Sequence, residues 1–221
     1  MKKINILLCS LFAVASLASC EKFLDTMPDN RAEIDSEEKI QRLLTSAYPE
    51  NDYILVAELM SDNCDQFNNT NTSRFIEQVW AWEDVNETNN ESPERVWESC
   101  YAAIASANHA LQAIEEIAAE SGWTDSMYKE KAEALLCRAY GHFILVNMFC
   151  MNYNQNTSNK DLGITYCLEP ETTLNPQYSR GTVAEVYENI DKDLQEALPF
   201  ISDSYYKVPK YHFNPQAAYA F

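Results

Sequence analysis

Glycine is scarce in this chain of 221 residues. There are four, scattered singly, so no glycine-rich loop can cradle a phosphate and no dinucleotide fingerprint exists. G-x-S-x-G, H-E-x-x-H and P-loop patterns are also missing, which removes the usual signatures of serine hydrolases, zinc peptidases and nucleotide hydrolases. Basic residues are few: 16 Lys and Arg stand against 34 Asp and Glu, for a formal charge of −18. Such a chain repels nucleic-acid phosphates and anionic headgroups, so no nucleic-acid partner is expected. The seven cysteines form no C-x-x-C pair, which removes zinc-ribbon and thioredoxin-like readings. Five of them follow Cys20, an odd number. Cys137 and Cys150 fall on one expected helix, about 20 Å apart and out of disulfide reach. Most read as buried small hydrophobes; a pairing among Cys64, Cys100 and Cys167 stays open.

The N-terminus carries more information. Met1-Lys2-Lys3 precedes an uncharged run from Ile4 to Leu17. That run is short of the roughly 20 residues a spanning helix needs, and it ends in small residues, as a secretory signal does. Leu17-Ala18-Ser19-Cys20 resembles the lipobox of bacterial lipoproteins. Residues 1–19 are therefore expected to be a signal peptide, with Cys20 the site of lipid attachment. Two or more acyl chains there would hold the chain firmly on a membrane, where one would not. Removing Lys2 and Lys3 with the signal makes the chain two charges more negative.

Residues 20–34 read as an extended leader. From Asp35 the periodicity becomes helical. Asp35 is expected to cap a first helix, with the apolar stripe Ile40, Leu43, Leu44 and Ala47 and a stop at Pro49. Tyr53 to Met60 reads as a second helix. Ser61 to Glu91 is asparagine-rich loop, interrupted by "FIEQVWAW", Phe75 to Trp82, expected as a short strand or a loop pinned by aromatics. Ser92-Pro93 is a helix start, followed by Trp97, Cys100, Tyr101, Ile104, Ala107, Leu111 and Ile114. Gly122 falls just past its end. A second long helix starts near Thr124-Asp125-Ser126 and turns apolar nearly all round beyond Phe143, the mark of burial on several sides. So short a connection makes the two helices antiparallel. Ala102, Ala103, Ala107 and Ala110 are expected to cross Ala139 and Gly141. Large aromatics alternating with alanine resemble a tetratricopeptide (TPR) helix pair, longer than the usual repeat of about 34 residues. After a second loop region, Asn152 to Arg180, Thr182-Val183-Ala184-Glu185 forms a capping box. Asn214-Pro215 opens a last helix, with Phe213 placed to staple onto Ala218. That helix reads as short of length and of packing partners, and the chain as the front part of something longer.

Candidate chemistry is sparse. Asp62-Asn63-Cys64-Asp65 faintly suggests calcium ligands but lacks an EF-hand's glycine and distal glutamate. His109 and His142 lie on the two long helices and could approach one another; core histidines with backbone partners are the plainer reading, and His212 stands apart. The carboxylates read as solvated helix faces. Trp80 and Trp82 stand out because they lie in a polar loop. In an extended segment, residues i and i+2 share a side, so the two indoles would form a platform suited to the flat C–H face of a sugar ring. The plainer alternative has both pinning the loop to the body.

Four segments carry a family resemblance. "AEALLCRAYGHFILVNMF" (132–149), "YSRGTVAEVYENIDKDLQEALP" (178–199) and the leader "CEKFLDTMPDN" (20–30) are similar to segments of the RagB/SusD family, and "FNPQAAYAF" resembles the start of its next helix. The resemblance implies an all-α fold of TPR-like antiparallel helix pairs with long irregular loops, here truncated. Residues 35–221 would be the N-terminal TPR-like domain, incomplete at its C-terminal end. It also implies a non-enzymatic lipoprotein of the outer membrane, facing the cell surface. Such a protein binds an extracellular glycan or other nutrient, without a cofactor, and delivers it to a SusC-like TonB-dependent transporter. Trp82 falls where starch-binding members carry a stacking tryptophan, and an asparagine contact of those members falls on Val85, with Asn86 adjacent. A different class, a lipid-anchored TPR scaffold that binds only protein, is the alternative. The sequence departs from the family at Cys150, where glycine is usual.

Overall fold

The computed structural model describes residues 34–51, 53–65, 72–87, 89, 91–173, 176–202, 204 and 206–221. The signal peptide, Cys20 and nearly all of the leader lie outside the described residues, as do Asn68, Asn69, Asn71 and Asn90. Seven α-helices are described: α1 (Glu37–Leu44), α2 (Ile54–Leu59), α3 (Arg74–Trp80), α4 (Pro93–Ser121), α5 (Asp125–Phe149), α6 (Val183–Ala197) and α7 (Pro215–Ala220), with a 3₁₀ turn at Pro209–Tyr211. Extended pairing among the described residues is confined to one antiparallel bridge, Leu162 with Thr182. None of these helices is long and apolar enough to cross a membrane.

The start signals act as their chemistry requires. Ser92 caps α4 by accepting from the Arg95 N–H, with Pro93 at the first position. Thr124 caps α5 through the Met127 N–H. In the Thr182–Glu185 box both hydrogen bonds are made, at 3.2 and 2.7 Å. Gly122 ends α4 at φ 85°, a left-handed backbone that a side chain would strain.

Side-chain pairs give the helix directions. Along α4 and α5, Glu115 meets Lys131, Asn108 meets Arg138, and Ile104 packs on Gly141; one number rises as the other falls, so the helices are antiparallel. Arg138 with Asp193 and Asn147 with Tyr187 show the same for α5 and α6. Helix α5 is thus sandwiched, and residues 132–139 are buried without a break. The close crossing of α4 and α5 needs Gly141, where a Cβ would stand 2.8 Å from Cγ1 of Ile104.

Apolar residues gather in two lobes along α5. One joins Ile40 and Leu44 of α1 to Ile114, Leu136 and Ala197; the other joins Cys100, Ile104, Leu145, Ile164, Val186 and Ile190. A satellite core of Val56, Leu59, Phe75 and Val79 sits under α2 and α3, with Met148 packed against both it and the second lobe.

Several expectations are corrected. "FIEQVWAW" is neither strand nor loop: its first six residues belong to helix α3, because Phe75, Gln78 and Val79 bury one helical face. Ser36 rather than Asp35 stands at the start of α1, without a side-chain cap bond; Asp35 pairs with Lys39 at 2.7 Å. Helix α1 ends at Leu44, well before Pro49. Ala102 is exposed and takes no part in the helix crossing, whereas Ala103, Ala107 and Ala110 are buried. Helix α7 does have packing partners. Ala218 is buried in the first lobe, and the Phe221 ring meets Tyr140 and Phe143 edge-on.

Candidate functional site

Helix α3 is anchored by Phe75, fully buried, and by Val79. Beyond Trp80 the chain turns back along the helix. The Ala81 N–H donates to Glu77 O at 2.9 Å and the Trp82 N–H to Val79 O at 3.2 Å. Trp82 itself takes φ 57°, the left-handed region, and is the one non-glycine residue with a positive φ among those described. A bulky residue there is strained and persists only when its surroundings over-determine it.

Those surroundings are specific. Glu83 N–H donates to Gln78 O at 2.9 Å. The Gln78 side chain is buried, and its amide pairs twice with Asn86: Nε2 donates to Oδ1 at 2.9 Å, and the Asn86 N–H donates to Oε1 at 3.3 Å. One residue on, the Glu87 carboxylate accepts from the Phe75 N–H at 3.1 Å. It thereby satisfies an orphan donor in the first turn of α3, where a negative charge is favoured. Val85 packs into the satellite core. The segment 81–87 is therefore a closed loop with Trp82 at its start, directly after α3, and Trp82 is 71% exposed.

The three candidate residues thus have different surroundings. Trp80 ends α3, is 38% exposed, and points its Nε1–H at Cys64 O, 3.5 Å away. Trp82 is the freer ring. Because α3 is helical, the pleat argument for a shared platform lapses, and no ring pairing joins the two indoles among the described residues. Asn86 has its carbonyl oxygen engaged by Gln78, so it closes the loop that carries Trp82. Gln78 and Glu87 escaped the sequence reading. The signal for Gln78 was its place in the Phe75, Gln78, Val79 helical stripe; nothing in sequence pointed to Glu87.

His142 and His212 have structural partners. His142 is fully buried. Its Nδ1 lies 2.8 Å from the Arg138 carbonyl and its Nε2 accepts from the Cys167 N–H at 3.0 Å, so the neutral ring carries its proton on Nδ1. Burial pushes its pKa down to about 3. With both nitrogens engaged on either side of its own ring, it does not form a pair with His109. His212 lies 2.7 Å from Glu133 and stacks on Tyr206. The side chains of Asp62 to Asp65 gather no ligand set: among the described residues no group of three His, Cys, Asp or Glu is placed to hold a metal. All five described cysteines are free thiols.

Antiparallel helices around a buried central helix define a TPR-like helical fold, with Trp82 exposed on one of its loops. Residues 22–221 match the model of a SusD-like family described as "Starch-binding associating with outer membrane", and the chain belongs to that family. No curated protein matches the chain. Among solved structures it is similar to a SusD superfamily protein from Bacteroides thetaiotaomicron VPI-5482 (23% identity, TM-score 0.66, covering 83% of this chain and 40% of that one). It is also similar to a SusD-like carbohydrate binding protein from Bacteroides vulgatus ATCC 8482 (17%, 0.61, 82% and 39%). A third is the surface glycan-binding protein A from Bacteroides fluxus (23%, 0.58, 83% and 38%). The chain thus spans about two fifths of the length of these structures.

Proposed function

We propose that this chain is part of a non-enzymatic lipoprotein of the outer membrane that captures an extracellular glycan. Cys20 is its lipid attachment site, and the bound glycan passes to a SusC-like TonB-dependent transporter. The observation that carries the reading is Trp82: a large apolar ring held out to solvent on strained backbone by a loop with several independent ties. An exposed indole that merely pinned the loop would be buried, and the ties from Asn86 and Glu87 close the loop without it. Aromatic faces stack on the C–H face of a sugar ring with large area and little conformational loss. Family membership and two solved relatives, a SusD-like carbohydrate binding protein and a surface glycan-binding protein, support the same direction.

The test is affinity electrophoresis of the chain in gels containing starch or laminarin. The native chain is expected to be retarded, and Trp82→Ala to lose most of the retardation, an affinity loss of about tenfold, while melting at an unchanged temperature. Equal retardation of the two proteins would refute the role given to Trp82.

A second reading, a scaffold that binds only protein, draws on a different surface. Trp123, Tyr128 and Phe200 form a continuous stack with ring centroids 4.8 and 5.2 Å apart, and each ring is more than a third exposed. Aromatic clusters of this kind are enriched where proteins dock.

A further inference from the structure

The segment after α5 returns across the outer face of α4 as an extended strap. It is held there by helix side chains in place of a neighbouring strand. Tyr101 donates to Thr165 O at 3.0 Å, and Asn108 donates to Cys167 O at 3.0 Å. Arg138 donates to Leu168 O at 3.2 Å. Between strap and helix lies a cleft of about 410 Å³, within the range of small-ligand sites.

The walls of this cleft are aromatic and acidic. Trp97 is held by the rings of Tyr101 and Phe149, at 5.0 and 5.1 Å, yet stays 39% exposed. Tyr178, 52% exposed, donates its hydroxyl to Glu171. Glu98, Glu169 and Glu171 supply three carboxylates, and among the described residues no Lys or Arg lines the cleft. Arg95 offsets Glu98 from outside, at 2.6 Å. The Glu169 carboxylate has no partner among the described residues. The floor is rigid: Asn108 is buried and has its amide engaged on both sides.

We infer that this cleft is a second carbohydrate site, selective for saccharides that carry a free amino group. Two aromatic faces attract a cation through their ring quadrupoles, and the carboxylates, that of Glu169 free of any partner among the described residues, give charge-assisted hydrogen bonds to an ammonium. The same carboxylates repel uronates and sulfated sugars, and a net charge of −18 adds to the repulsion. The choice of a saccharide over another amine rests on the glycan-capture reading above; the preference for a positive charge rests on the cleft alone.

Isothermal titration of the chain with glucosamine oligomers, their N-acetylated counterparts and oligogalacturonate tests this. Glucosamine oligomers should bind, the N-acetylated ones about tenfold more weakly, and oligogalacturonate not at all. Tyr178→Ala and Glu171→Gln, both at exposed positions away from the core, should each weaken glucosamine binding about tenfold, whereas Trp82→Ala should leave it unchanged. Equal affinity for acetylated and free amines would overturn the inference. So would binding that survives both cleft variants, which would mark non-specific attraction of a polycation. A native chain that starch and laminarin do not retard, with glucosamine binding intact, would sink the Trp82 reading and leave the cleft standing; absence of all saccharide binding by the native chain would sink both.

Discussion

Glu130 and Glu133 lie one turn apart on α5, each fully buried, and each keeps one carboxylate oxygen without a partner. Glu130 accepts from Gln41 at 2.9 Å; Glu133 accepts from Tyr48 at 2.7 Å and sits against His212. Burial raises both carboxyls, Glu130 to about 7, with the Glu37 and Glu133 charges adding to it. A raised carboxyl binds a proton more tightly in the folded chain than in the unfolded one. Its contribution is fully present below pH 4.5 and is lost as pH rises to about 7, a swing of about 3 kcal/mol. In Glu130→Gln, urea unfolding measured from pH 4.5 to 7.5 should lack that decline; coincident pH profiles of variant and native chain would refute a protonated Glu130. His142 has the opposite sign. Its folded pKa lies below the ordinary 6.5, so its contribution is complete above pH 6.5 and fades as pH falls towards 3. A proton on Nε2 would face the Cys167 N–H, donor against donor. Hydrogen-exchange protection of the Cys167 amide, corrected for intrinsic rate, should drop between pH 6.5 and 4 before that of α5, and parallel loss in both would count against it. Neither carboxyl was legible in the sequence, where Glu130 and Glu133 read as part of a solvated face. A one-dimensional stripe marks which residues are apolar, and it says nothing about charges that neighbouring elements later cover.

At the scale of elements, the long helices were legible and α3 was not. Ser92-Pro93, Gly122, Thr124 and the Thr182 box mark their boundaries by local chemistry that needs no distant partner. Helix α3 has seven residues and no side-chain cap bond, below the length at which a helix holds by itself; tertiary burial of Phe75 and Val79 decides its state. The strap was read as plain loop for a related reason. Its bonds run to Tyr101, Asn108, Arg138 and His142, and Arg138 is itself fixed by two bonds to Asp193, at 2.6 and 2.8 Å. Gly163 is where the strap meets α6. A Cβ there would stand 2.6 Å from Thr182 O and 2.8 Å from the Thr182 carbonyl carbon, and backbone cannot give way as a side chain can. Gly163→Ala should destabilise the chain by about 1–3 kcal/mol in urea unfolding and raise exchange at the Gly163 amide, which bonds to Gly181 O at 2.9 Å. An unchanged midpoint would show that strap and helix separate freely.

Across the whole molecule, α5 joins the parts. Lys131 bridges Glu115 of α4 and Glu196 of α6 at 3.0 and 2.9 Å, and both apolar lobes line the same helix. Cys137 lies at the centre, fully buried, and burial raises its thiol pKa well above the ordinary value; that of Cys100 is pushed up to about 12. Alkylation of Cys137 should therefore proceed only at the rate of global unfolding, while Cys64, Cys150 and Cys167, only half-buried, label sooner. Labelling of Cys137 as fast as Cys64 would show that α5 opens on its own. The sequence by itself determined the helical class, the long antiparallel pair, the helix starts and the presence of tryptophans where a polar loop would not need them, because periodicity, caps and composition are local. Only the tertiary structure decided that α3 is a helix, that Trp82 is held out on strained backbone by Gln78, Asn86 and Glu87, and that a strap closes an acidic aromatic cleft over α4. The first depends on burial by other elements and the third on contacts between residues distant along the chain, while the ties around Trp82, the longest spanning 12 positions, form only once α3 is folded; no local pattern encodes these.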